Sequence, residues 1–246
     1  MELQGKVAVI TGGKRIGRIV AQHLAERGMD LVLTYRGSKE DADLTVADVA
    51  ARGRRAVAIA ADVSRAADCA AVIAGAVDAF GRADALINMA SVYRSKALMA
   101  ITADDWDADM HVNVRSAFLC AQAALPHMRR HGGGRIVNVA DWLSRSGRPN
   151  YPDFVSHYVA KAGIIALTES LALELAHENI LVNAVAPGPI LPSADMTPED
   201  VVNSARAIPV GHWGGEAEIA RMVLLLCESD FITGETMRVD GGRHLC

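Results

Sequence analysis

A single-domain α/β fold, with a doubly wound parallel sheet and helices on both faces, follows from three observations. Short β-branched runs alternate with longer helical segments throughout the 246 residues. The strand runs carry little polar alternation, as suits a sheet covered on both sides. No linker, low-complexity tract or repeat interrupts the series, so one domain spanning residues 1–246 is expected. Strands are predicted at Val7–Thr11, Leu31–Tyr35, Ala56–Ala60, Ala85–Asn88, Arg135–Val139, Leu181–Val185 and Thr236–Val239. Apolar residues recur at helical period in Arg15–Arg27, Glu40–Ala51, Arg65–Phe80, Ala103–Arg130, Val155–Ala176 and Glu216–Cys227. Alternation of this kind implies right-handed crossovers between parallel strands.

Composition narrows the function. Hydrophobic residues make up 51% and charged residues 22%, ample for a buried core. A formal net charge of -4 with no long basic run argues against nucleic acid as a partner. No apolar stretch is long enough to span a membrane, and the first residues lack signal-peptide architecture, so a cytoplasmic location is expected. The four cysteines form no C-x-x-C pair and the eight histidines no ligand spacing with them, so reduced thiols and no metal site are expected.

In a sheet of this kind, ligands bind beyond the carboxyl ends of the strands. Thr11-Gly12-Gly13, Arg36, Asp62, Asn88, Asp141 and Pro187-Gly188 each follow a different predicted strand. The run from Val7 through Gly12-Gly13-Lys14-Arg15-Ile16-Gly17 reads as strand, glycine-rich turn and helix start, which suits a pyrophosphate. The second strand ends in Tyr35-Arg36, with no carboxylate to hold a ribose diol. Arg36, with Lys14 or Arg15, offers positive charge for a 2′-phosphate, favouring NADP(H) over NAD(H).

Taken in order, the glycine turn, Asp62-Val63, Asn88-Met89-Ala90, Asn113, Asp141 and Tyr158/Lys161 resemble a short-chain dehydrogenase/reductase along essentially the whole chain. The resemblance implies a Rossmann-like fold, NAD(P)(H) binding and assembly as a homotetramer. It implies that Asp62 contacts the adenine, that Asn88 supports the cofactor pocket, and that Pro187-Gly188 lies by the nicotinamide. Residues from about Leu191 to Pro209 would form a substrate lid. Lys161 would bind the nicotinamide ribose and depress the pKa of the catalytic acid, and Asn113 would kink its helix and hold a water linked to that lysine.

Asp141 stands where most of the family has serine. With Lys14-Arg15-Ile16-Gly17-Arg18, Tyr35-Arg36 and Asn88-Met89-Ala90-Ser91-Val92-Tyr93, it resembles the pteridine-reductase branch. A carboxyl group can hydrogen-bond the amidine-like edge of a pterin and assist protonation of a ring nitrogen. Beside a ketone's developing oxyanion it would repel. Tyr93, Trp142 and Tyr151 are predicted near the site, where aromatic rings could flank a flat substrate.

Two segments are each one residue shorter than the family's pattern. Four residues separate Gly12 from Gly17, and Tyr158 and Lys161 stand three apart instead of four. His157 occupies the four-residue spacing, and on a regular helix it points about 100° away from Tyr158. Three readings stay open. Tyr158 is the proton donor with a bulged first turn, His157 is the donor, or the protein binds cofactor with little catalysis. The leading expectation is an NADPH-dependent reductase of a dihydropterin- or dihydrofolate-like heterocycle or a small carbonyl compound. The catalytic set is then Asp141, Tyr158, Lys161 and Asn113, and the cofactor set includes Tyr158 and Lys161 as well. A 3-oxoacyl or other ketone reductase and a non-catalytic NADP(H)-binding or regulatory protein are the alternatives.

Overall fold

A computed structural model describes residues 1–146, 152–193 and 196–246. Among them, seven parallel strands form one sheet in the order β3-β2-β1-β4-β5-β6-β7. They are β1 (Val7–Thr11), β2 (Asp30–Tyr35), β3 (Ala56–Ala60), β4 (Ala85–Asn88), β5 (Gly134–Val139), β6 (Ile180–Pro187) and β7 (Thr236–Val239). The order reverses between β1 and β4, which opens a crevice beyond their carboxyl ends. Register is continuous across that line, with Ile10 opposite Leu33 of β2 and Ile87 of β4.

Period-two alternation sends the side chains of each strand to two cores. Ala8 and Ile10 face α1 (Ile16–Glu26), α2 (Lys39–Ala51) and α9 (Glu216–Glu228). Val7 and Val9 face α3 (Ala66–Phe80), α5 (Ser116–Arg130) and α7 (Val155–Leu175). Val20 and Leu24 of α1 are fully buried, each contributing about 1.5–3 kcal/mol by area removed from water.

The helical run expected over Ala103–Arg130 is interrupted around Asn113, where the resemblance implied a kink. It comprises α4 (Ala103–Asp109), a π-helical turn at Met110–Arg115, and α5. The widened turn is braced by the Asn113 side-chain amide, which donates to the Asp109 carbonyl at 2.9 Å. Two further helices were not expected. The first, α6 (Trp142–Ser146), is too short to show a period. The second, α8 (Pro198–Arg206), carries a capping box between Thr197 and Asp200 and proline at its start.

Candidate active site

A cleft of about 550 Å³ runs over the carboxyl ends of β1 to β4. Of the expected cofactor residues, Gly12, Lys14, Tyr35, Arg36, Asp62, Val63 and Ala90 line it. Gly12 has φ +80°, and a Cβ there would lie 3.0 Å from the Ala90 backbone. Thr11 Oγ1 accepts from the amides of Met89 and Ala90, at 3.1 and 3.3 Å, and ties the glycine turn to the end of β4. Both cations at the cleft already face carboxylates. Lys14 Nζ lies 3.0 Å from Asp41, and the Arg36 guanidinium 3.9 Å from Asp62. The Asp62 carboxyl is held below the usual range, chiefly by hydrogen bonds from Ser64 and by the charges of Arg36 and Arg65.

The other predicted turn residues act from behind the lining. Arg15 adopts φ +52° and ψ -109° at the N-cap of α1, with no side-chain cap. An arginine thus occupies backbone space that favours glycine, and α1 begins at Ile16. Ile16 packs against the core. A Cβ on Gly17 would lie 2.5 Å from the Gly12 carbonyl oxygen, so Gly17 permits close packing of helix on turn. Asn88 donates to Asn138 at 2.9 Å inside the sheet, and its own Oδ1 is buried without a partner among the described residues. Pro187 closes β6, and Gly188 donates to Val239 at 2.9 Å, where a Cβ would lie 2.4 Å from the Asp240 Cβ; neither lines the cleft.

At the end of β5, three ionisable side chains converge. Lys161 is buried, and its ammonium donates to the Val139 carbonyl at 2.7 Å. Burial lowers its pKa to about 8, against the opposing pull of Asp141 and Asp109. Asp141 divides its oxygens. Oδ1 accepts from the Leu143 amide at 2.8 Å and so caps α6, while Oδ2 lies 3.9 Å from His157 Nε2. His157 is 5% exposed, and its Nδ1 is 2.9 Å from the Val92 carbonyl oxygen. Val92 also lines the cleft, which places this cluster at one end of it.

The expected bulge that would bring Tyr158 inward is corrected. Helix α7 is regular from Val155, and the Tyr158 amide donates to the Phe154 carbonyl at 2.8 Å. His157 and Lys161, four apart, are therefore both on the buried face, while Tyr158 is half-buried and its hydroxyl bonds no described residue. Asn113 is buried in the π turn and accepts from Ser91 Oγ at 2.8 Å. Beside it lies Asp109, which was not anticipated. This buried carboxylate accepts from Ser156 Oγ, and its other oxygen lacks a partner among the described residues. Its position four residues before Asn113 was the available signal, since the two share a helix face.

The expected lid contains α8, docked by the Trp213 indole donating to the Val201 carbonyl at 3.1 Å; residues 194 and 195 lie outside the described set. Tyr93 stacks on Phe154 with ring centroids 4.5 Å apart and meets His157 edge-on at 4.8 Å. Trp142 is buried, and Tyr151 lies outside the described residues. Among the described residues no cluster of metal-ligating side chains occurs, and no helix is long and apolar enough to cross a membrane.

A switch-point cleft lined by a glycine turn, with a buried lysine and an asparagine-bearing π turn beyond it, defines an oxidoreductase. The chain belongs to the short-chain dehydrogenase/reductase family: a family model described as enoyl-(acyl carrier protein) reductase matches residues 12–244. It is 38% identical to the 3-oxoacyl-[acyl-carrier-protein] reductase FabG of Staphylococcus aureus, over 98% of each chain. Among solved structures it resembles acetoin dehydrogenase from Enterobacter cloacae, with 39% identity and a TM-score of 0.89 over 98% of this chain and 96% of that one. A blue fluorescent protein from a metagenomic library, in complex with NADPH, is 34% identical with a TM-score of 0.90 over 99% of each chain. These names favour the ketone-reductase alternative over pterin reduction as the leading reading.

Proposed function

We propose that the protein is an NADPH-dependent reductase of carbonyl compounds, acting on a 3-oxoacyl thioester or a related small ketone. The observation that carries this reading is the buried Lys161 beside Asp141 and His157, joined to the cleft through Val92. The names of the Staphylococcus and Enterobacter relatives supply the substrate class.

Bound reduced nicotinamide would supply hydride to the substrate carbon. The residues present fit that cofactor. Gly12, at φ +80°, lines the cleft, and Arg36 and Lys14, which line it too, would pair with a 2′-phosphate. Their pairs with Asp62 and Asp41 are solvent-exposed and worth about 0–1 kcal/mol each, so a phosphate can displace the carboxylates. The Lys161 ammonium would hold the ribose while stabilising negative charge near the reacting oxygen. The NADPH-bound neighbour supports the choice of phosphorylated cofactor.

Asp141 and the Tyr93–Phe154 stack favour a second substrate class, a flat heterocycle of dihydropterin type. We also propose a homotetramer, supported by exposed apolar side chains on α5 and α7, Phe118 and Leu173 among them.

The deciding experiment follows oxidation of NADPH and of NADH with a 3-oxoacyl thioester, acetoin-type ketones and a dihydropterin. Turnover of ketones with NADPH is expected. Turnover of the dihydropterin alone would transfer the assignment to the second class. Tight NADPH binding without oxidation by any of them would sink the enzyme reading.

A further inference from the structure

We propose that the proton donor of this reductase is the His157 imidazole, delivering from Nε2 and held facing Asp141, with Tyr158 taking no part. The inference rests on the carbonyl-reductase reading above.

The ring's protonation pattern follows from its partners. The Val92 carbonyl can only accept, so Nδ1, at 2.9 Å, must carry a hydrogen. In the neutral ring Nε2 is then bare and turned toward Asp141 Oδ2. A bare nitrogen facing a carboxylate is unfavourable, and adding a proton at Nε2 converts the pair into imidazolium and carboxylate. A near-perpendicular contact with the Tyr93 ring and the helical backbone fix the plane of the imidazole.

Other charges bear on the same ring. Lys161, one turn further along α7, opposes the imidazolium. Asp141, from the turn after β5, and Asp109, from the end of α4, pull on that ammonium and offset it. Ser156, next to His157, donates to Asp109 and helps hold that carboxylate in place.

The Nε2–Oδ2 distance of 3.9 Å is too long for a direct hydrogen bond. The Nε2–H is therefore left to donate to a substrate carbonyl oxygen, which accepts from Nε2 alone and lies away from the Asp141 carboxylate. As hydride reaches the substrate carbon, the C=O π pair moves to oxygen and forms an alkoxide. The Nε2–H bond then breaks, and its proton passes to the alkoxide to give the alcohol. The ring is left neutral and recovers its proton from solvent. Asp141 is a positioning residue, and His157 is the group that touches substrate.

The test uses ¹⁵N-labelled protein, with the His157 ring signals identified by their loss in His157→Gln. Nδ1 is expected to stay protonated throughout, while Nε2 gains its proton on acidification. In Asp141→Asn that event should move to lower pH. A neutral ring protonated at Nε2, or a titration unmoved by Asp141→Asn, overturns the proposal whether or not a substrate is known. The site-resolved titration is needed because Lys161 also loses its proton near pH 8. In turnover, His157→Gln should lower kcat by about 10²-fold or more at unchanged NADPH affinity, and Tyr158→Phe should retain most of the activity. Loss in Tyr158→Phe with activity kept in His157→Gln overturns it. A wild type that oxidises NADPH with no carbonyl refutes the functional reading instead, and the ring titration then decides the His157–Asp141 pair separately.

Discussion

Ser144 Oγ donates to the main-chain carbonyl of Tyr158 at 3.1 Å, so α6 grips the first turn of α7. That contact helps fix the rotation of α7 about its axis, and rotation decides which side chain meets Asp141. Removing the hydroxyl with Ser144→Ala should cost about 0.5–1.5 kcal/mol. Urea melts of the two proteins measure it, and an unchanged midpoint would show that α7 is held by packing alone.

Arg15, at φ +52°, is a strained position with no side-chain cap to compensate. Backbone of this kind costs a non-glycine residue about 1–3 kcal/mol. Arg15→Gly relieves it at the expense of some added freedom in the unfolded chain. A net gain of about 1 kcal/mol is expected, seen as a higher Tm. A lower Tm would mean that the arginine makes contacts worth more than the strain.

Lys161 gives two pH signatures. Its folded pKa is about 8, lowered by burial from the ordinary lysine value of 10.5. Below pH 8 both folded and unfolded chains carry the charge, and the folded one bears the cost of burying it. Between about 8 and 10.5 the unfolded chain binds more protons, so this group's contribution to stability rises with pH. Cofactor affinity should move the opposite way, weakening above pH 8 as the ammonium disappears. Fluorescence titrations with NADPH at pH 7 and pH 9 check the second effect, and Lys161→Met should abolish the difference between them.

Arg36 is the expected discriminator between cofactors. Arg36→Ala should weaken NADPH binding about 10- to 100-fold, the loss of one or two charge-assisted hydrogen bonds, while NADH binding stays nearly constant. Equal weakening of both would remove the 2′-phosphate from the assignment.

Leu173 is 86% exposed on α7 in the single chain. If the tetramer buries this face, Leu173→Glu should shift the mass seen by light scattering toward smaller species. A wild-type monomer at working concentration would refute the tetramer outright.

The sheet was readable because buried parallel strands are short β-branched runs with turn residues at their ends, and the predicted strands agree with the observed ones to within two residues at either end. The glycine turn and Arg36 were readable for a local reason, since φ at Gly12 and the charge at the tip of β2 belong to single positions. The helix at Pro198–Arg206 could have been found from Thr197, Pro198 and Asp200, which spell its cap. The irregular turn at Asn113 was implied by the resemblance alone. It depends on the Asn113 amide reaching the Asp109 carbonyl, in a helix whose apolar pattern runs on unchanged.

Sequence alone determined that Lys161 has a tyrosine three residues before it and a histidine four before it, that Asp141 follows β5, and that the chain forms a doubly wound sheet. Tertiary structure decided which neighbour faces the aspartate. A one-residue change in spacing rotates a side chain by about 100° on a helix, and only the packing of α7 against α6 and the sheet sets the phase. It also decided that Asp141 is both helix cap and partner of His157, because one carboxylate has two oxygens and the fold gave each a different neighbour.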